Sequence, residues 1–377
     1  MRGTVDPQPS MFFAMDLEEM VPADHPLRAI KQQADDELRR MRKAFAAAYS
    51  QVGRPSIPPE QLIKATLLQA LFTIRSERLL CEQVRYNMLF RWFLGLPPDG
   101  EVWNHSTFSK NRERFAAHGL MQRFFEGSVA HAIAQEAASV DHFSVDGTLI
   151  EAWASMKSVR PKDESTDDDD PKPEGNKSDS NHWTDWRGAK RSNKTHESKT
   201  DPQARLMRKG PGKPAILSHS MHVLMENRNG LVMDIEVEEA NGTAERQCAK
   251  RMIKRVRKRH WLKPKTLAAD KGYDDGAFLH DLEKDWNIKP HVSIKGDKVV
   301  SLGQAADARR LAQSRQNTAG YQSSQRCRKR AEEIFGWLKT TGGLRKTRFI
   351  GRWKTQLYAY AAAAAYNFMR IPKLSET

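Results

Sequence analysis

The hydrophobic rhythm of this 377-residue chain changes near residue 130, and that change constrains the fold more than any other feature. Before it, apolar residues recur at the three- and four-residue intervals of amphipathic helices. After Asp141, short strand-like runs alternate with helical ones. The chain therefore predicts a helical domain over residues 1 to 130, followed over 131 to 377 by a mixed sheet carrying helices, in the α/β (mixed α+β) class.

In the helical part the pattern predicts a helix over 26 to 49. Another starts at Pro59 and Glu60 and carries Leu62, Ile63, Thr66, Leu67 and Ala70 on one stripe, and a third runs over 76 to 93 and stops at Gly95. Asn104-His105-Ser106-Thr107 has the composition of a helix cap. A helix-turn-helix motif fits these short helices, and so does an ordinary bundle.

In the second part, His142 to Asp146 reads as a short strand ending in an acid. Residues 157 to 214 are rich in Asp, Ser, Lys, Pro and Gly and read as a flexible loop inserted in the domain. Strands at 222 to 226 and 231 to 237 flank Asn229-Gly230, the signature of a type I′ turn. A basic helix over 243 to 258 leads to a second strand, Thr266 to Asp270, which again ends in an acid. A helix at 276 to 286, a strand at 288 to 294 and helices at 324 to 339 and 353 to 369 complete the succession.

The formal charge is +15, and two windows account for it. Residues 244 to 263 hold nine Lys/Arg against Glu245 alone, and 321 to 355 hold ten against Glu332 and Glu333. Such concentration suits a polyanion binder, and equally a solvated helix face. The three cysteines, Cys81, Cys248 and Cys327, are too scattered for a disulfide framework or a zinc knuckle, and fit a reducing compartment. No secretory leader or spanning segment is expected, so the chain reads as cytoplasmic and DNA-associated, with no membrane partner.

Within this framework three acids stand out. Asp146 and Asp270 end predicted buried strands, where a turn-capping role is the commoner one for an isolated Asp. Glu332 follows a basic cluster on a predicted helix, with Arg328 and Lys339 at offsets close to whole turns. The rise from Glu332 to Lys339, roughly 10 Å, would let the lysine reach a phosphate neighbouring the one at the acid. Three carboxylates gathered at one sheet edge suit Mg²⁺, with Mn²⁺ as a substitute.

These residues resemble the DDE-class transposases of bacterial insertion sequences. The motifs are Val145-Asp146-Gly147-Thr148, Ala269-Asp270-Lys271-Gly272-Tyr273-Asp274, and Arg328, Glu332 and Lys339 separated by three and six residues. This last spacing selects Glu332 over Glu333. Two departures are Gly147, where many relatives have Ser, and Gln325, in the slot where the family usually has Tyr, with Tyr321 four residues earlier. Phe12-Phe13, residues 22 to 28, Gly53-Arg54-Pro55, Ser106-Thr107-Phe108 and residues 195 to 202, His196 among them, are similar to further family blocks.

The resemblance implies an RNase H-like catalytic domain and a polynucleotidyl transferase. It would bind double-stranded DNA at terminal inverted repeats, hydrolyse phosphodiester bonds there, and transfer the 3′-OH into target DNA, as a homo-oligomer on DNA. It further implies Asp146, Asp270 and Glu332 as catalytic metal ligands, and Lys271, Arg328, Lys339, Arg330, Lys329 and Lys199 as DNA contacts. A nuclease without joining activity and an inactive, DNA-binding descendant are the alternative readings.

Overall fold

The computed structural model describes residues 16 to 375 apart from 51, 54, 163 to 191, 209, 211 and 297 to 302. Phe12-Phe13, Arg54 and the middle of the expected insertion lie outside the described residues. Eight helices come first: α1 (Leu17–Met20), α2 (Leu27–Arg40), α3 (Arg42–Ala48), α4 (Pro59–Leu71), α5 (Glu77–Tyr86), α6 (Met88–Leu94), α7 (Ser106–Ala117) and α8 (Leu120–Ala134). The helix expected over 26 to 49 breaks at Met41, between α2 and α3. The one expected over 76 to 93 divides at Asn87, whose side chain accepts from the Phe90 N–H and so starts a new helix. Gly95, at φ +70, ends α6 as anticipated.

The strands are β1 (His142–Glu151), β2 (Val159–Pro161), β3 (His196–Ser198), β4 (Arg205–Met207), β5 (Ile216–Glu226) and β6 (Leu231–Glu239), then α9 (Ala244–His260), β7 (Thr266–Ala269), α10 (Gly276–His280) and β8 (Lys289–Val292). Four helices close the chain: α11 (Gln304–Ser314), which the sequence pattern did not reveal, α12 (Ala319–Arg328), α13 (Arg330–Lys339) and α14 (Arg352–Ser375). The helix expected over 324 to 339 is thus two, broken at Lys329. Part of the expected insertion is regular structure: β2 and β3 pair with each other, and β4 joins the main sheet beside β5.

In the main sheet β1 lies between β5, antiparallel to it, and β7, parallel to it; β6 pairs with the far edge of β5, and β8 runs parallel to β7. This mixed sheet behind a helical region is consistent with the expected RNase H-like fold. The β5–β6 connection differs from the expected type I′ turn. Only Gly230 is left-handed, at φ +68, and the buried Glu226 carboxylate takes the Arg228 and Asn229 N–H groups, which holds a four-residue loop instead.

The last helix ties the halves together. Its alanines, Ala361 to Ala365, are fully buried, and their small size lets α14 lie close against α8, α4 and α2 on one side and β6 on the other. One continuous apolar core therefore runs from α2 to the sheet. Among the described residues no helix is long and apolar enough to cross a membrane.

Candidate active site

β1 is ten residues long, so Asp146 stands in mid-strand and not at its end as expected; pairing with β5 carries the strand on to Glu151. Asp270 does follow the last residue of its strand. The parallel register, Ser144 opposite Ala268, places Asp146 and Asp270 side by side two residues further on, where β7 leaves the sheet. The Asp146 carboxylate accepts from the Gly147 N–H at 2.8 Å and from Arg328 at 3.0 Å. Asp270 accepts from the Gly272 N–H at 2.7 Å, fixing the tight turn Lys271–Tyr273.

Glu332 completes the group from α13. Burial, first, raises the Asp146 carboxyl; the Gly147 N–H and Arg328 oppose it, and the charges of Asp270 and Glu332 add to it. The charge of Glu333, by contrast, acts on Tyr366 of α14. Lys339, two turns along α13, donates to Thr148 Oγ1 at 2.5 Å, so Arg328 and Lys339 reach β1 on either side of Glu332.

Gln325 has a definite place in this arrangement. Its side-chain amide donates to the His291 carbonyl at 2.6 Å and the Ala269 carbonyl at 3.3 Å, while its oxygen accepts from Arg328 Nε at 3.2 Å. It braces Arg328 against the ends of β7 and β8. Tyr321 instead bonds Ser293 at 3.0 Å. His196, the first residue of β3, meets the adjacent Thr195, and Asp201 is fully buried against His219 at 3.1 Å and the Gly351 N–H, an anchor for the 195 to 202 block.

Glu245, in the first turn of α9, was singled out in the sequence only as the lone acid of a basic window, yet it points into the same region. Burial, then Asp270 and Asp146, raise its carboxyl. Beside it stand Tyr273, fully buried, and His222, which sits opposite Gly147 across β1 and β5 and which burial lowers to about 4.

The basic windows fare differently. Asp234, Glu236 and Glu238, alternating along β6, are met by Arg251 and Arg255 of α9; Arg246, Lys250 and Arg259 take Asp275, Asp281 and Glu126. Five of that window's nine cations are thus paired with acids of the chain. Of the expected contacts, Lys271, Lys329 and Lys199 are exposed. Arg330 donates to the Asn227 and Arg228 carbonyls and holds the β5–β6 turn.

A group of potential metal ligands, Glu236, Glu238 and Cys248, lies with its ligand atoms within 4.8 Å of one another. Arg251, Arg255 and Arg352 already pair with those carboxylates, and burial pushes the Cys248 thiol far up, a poor match for an oxygen-seeking cation. Among the described residues Asp146 pairs with Arg328 alone and no ion pair engages Asp270 or Glu332, so the oxygen donors of these three acids fit a hard cation such as Mg²⁺ or Mn²⁺.

Comparison with protein families identifies two parts of the chain. Residues 15–114 match a family model described as a transposase domain (DUF772), and residues 183–368 match the transposase DDE domain. No curated protein and no solved structure matches the chain.

Proposed function

Given that the chain has the domain architecture of a DDE-type transposase and the polynucleotidyl-transferase function that goes with it, we propose that Asp146, Asp270 and Glu332 are its catalytic carboxylates. The reading rests on their convergence on one point of the sheet from β1, the end of β7 and α13. Divalent cations held there, Mg²⁺ or Mn²⁺, would supply activation of the attacking oxygen and stabilisation of the leaving one. The side chains hold those ions and carry no covalent intermediate.

Water attacks phosphorus at an element end and gives a proton to solvent; the P–O bond to the element's 3′-oxygen breaks, that oxygen takes up a proton to become a 3′-OH, and the phosphate stays on the 5′ end of the flanking strand. That hydroxyl then attacks a target phosphodiester, joining the element's 3′-oxygen to the target's 5′-phosphate as the target's own P–O3′ bond breaks and its 3′-oxygen leaves with a proton. Arg328 spends one N–H on Asp146 and one on Gln325, and its remaining donors face phosphate. Lys339, held at Thr148, serves the next phosphate, while Lys271, Lys329 and Lys199 provide sequence-independent contacts. The substrates are terminal inverted repeats and target DNA, brought together by a homo-oligomer formed on DNA.

The test compares wild type with Asp146→Asn, Asp270→Asn and Glu332→Gln on DNA carrying the element ends, scoring cleavage and joining of a pre-cut 3′-OH end separately. The expected losses are about 10³-fold or more in both steps, on the order of 4 kcal/mol of barrier, with DNA binding retained. Cleavage at wild-type levels in all three variants overturns the assignment. Cutting without joining by the wild type makes the protein a nuclease instead.

A further inference from the structure

Glu245 has a setting that its neighbours in sequence do not share. Arg246, Lys250, Arg251 and Arg255 all find acids, but Glu245 forms no hydrogen bond or ion pair with the described residues. A solvated carboxylate in that position would turn outward. This one is partly buried and faces Asp270 and Asp146, with Arg246 the cation acting on it. The helix start favours an anion by only about 0.3–1 kcal/mol at an exposed site, which does not account for turning toward two like charges.

Two glycines keep the space around it open. A Cβ on Gly272 would lie 2.6 Å from Glu245 Oε2 and 3.0 Å from Asp270 Oδ1, so both carboxylates border one small gap above the Gly272 backbone. On the other side a Cβ on Gly147 would lie 2.8 Å from His222 Nδ1 and 3.6 Å from Glu245 Cγ. Glu245, His222, Gly147 and Thr148 line the same cleft, of about 280 Å³. His222 is 1% exposed, and among the described residues neither ring nitrogen has a hydrogen-bond partner; the Tyr273 hydroxyl is fully buried and likewise unpartnered among them, with the charges of Glu245, Asp146 and Asp270 acting on it. Buried polar groups of this kind are normally satisfied, and two of them bordering a ring of carboxylates point to a hydrated cation as the ligand that completes the set.

We propose that Glu245 is a fourth carboxylate of the divalent-cation site, sharing an ion with Asp270. This rests on the reading of Asp146, Asp270 and Glu332 as metal ligands, and adds a residue that lies outside their three motifs. Electrostatically, the added charge offsets Arg328, which otherwise competes with a cation at Asp146.

The experiment is a Mn²⁺ titration of the full chain with duplex DNA present, followed by the electron paramagnetic resonance of the free ion, on wild type and Glu245→Gln, Asp270→Asn and Glu333→Gln. The expected result is Mn²⁺ affinity weakened by about tenfold or more in Glu245→Gln and Asp270→Asn, and unchanged in Glu333→Gln. With chelator, Glu245→Gln should melt at or above the wild-type temperature, because a like-charge contact is gone; a clear fall would mark a structural role and overturn the proposal. Wild-type affinity in Glu245→Gln beside a weakened Asp270→Asn overturns the fourth ligand and leaves the other three standing. No binding by wild type, or no effect of Asp270→Asn, overturns the underlying site and this proposal with it.

Discussion

At the scale of single residues, the site is a set of carboxylates held by neighbours whose roles only the structure defines. Helical periodicity placed Arg328, Glu332 and Lys339 on one helix face, but the break at Lys329 puts Arg328 at the end of α12 and the other two on α13, so tertiary packing and not a continuous helix brings Arg328 to Asp146. Gln325 was legible only as a departure from a motif, since its partners are backbone carbonyls of two strands remote in sequence. If it acts by orienting Arg328, Gln325→Ala should slow cleavage by about tenfold, and adding Arg328→Ala should cost less than the two single losses together; strict additivity in this double-mutant cycle would contradict the coupling. The buried histidines make a separate prediction. Burial lowers both His222 and His291 to about 4, so each is neutral in the folded chain while the unfolded chain takes up protons below about 6.5. Stability is therefore full above pH 6.5 and is lost progressively toward pH 4, by up to about 3 kcal/mol per histidine. Urea unfolding at pH 7.5, 5.5 and 4.5 should show this slope, and His291→Asn should flatten it; an unchanged slope in the variant would contradict the assignment.

At the scale of elements, strand and helix positions followed from periodicity, but their ends and partners did not. The sequence pattern ended β1 at Asp146, whereas cross-strand pairing with β5 extends it to Glu151. The breaks at Met41 and Lys329 interrupt helices without any change in the apolar rhythm, so nothing in that rhythm marks them. The charge window over α9 was only partly legible for a related reason: a count of cations says nothing of the acids Asp234, Glu236 and Glu238, which alternate along β6 and meet Arg251 and Arg255 one turn apart. Between α2 and α8 the packing depends on Gly127, where a Cβ would run into the Glu37 side chain beneath it. Gly127→Ala should cost about 1–3 kcal/mol, measured by chemical denaturation, since Glu37 is itself buried and has little room to yield. A neutral effect would show that α2 and α8 are less tightly joined than the core implies.

At the scale of the molecule, α14 makes the helical region and the sheet share one core, so the catalytic face is set by contacts that begin near Leu27 and end near Ile371. The transposase architecture was legible across most of the chain because its motifs sit on the elements that build the site, while the closure of those elements belongs to tertiary packing. The central claim is that carboxylate oxygens of Asp146 and Asp270 hold the catalytic ions. The most direct measurement replaces each in turn with Cys and assays DNA cleavage in Mg²⁺, Mn²⁺ and Cd²⁺, because a thiolate binds the softer ions and disfavours Mg²⁺. The account predicts cysteine variants that bind DNA, are inert in Mg²⁺ and recover cleavage in Mn²⁺ or Cd²⁺; variants that cleave as well as wild type in Mg²⁺ would contradict it.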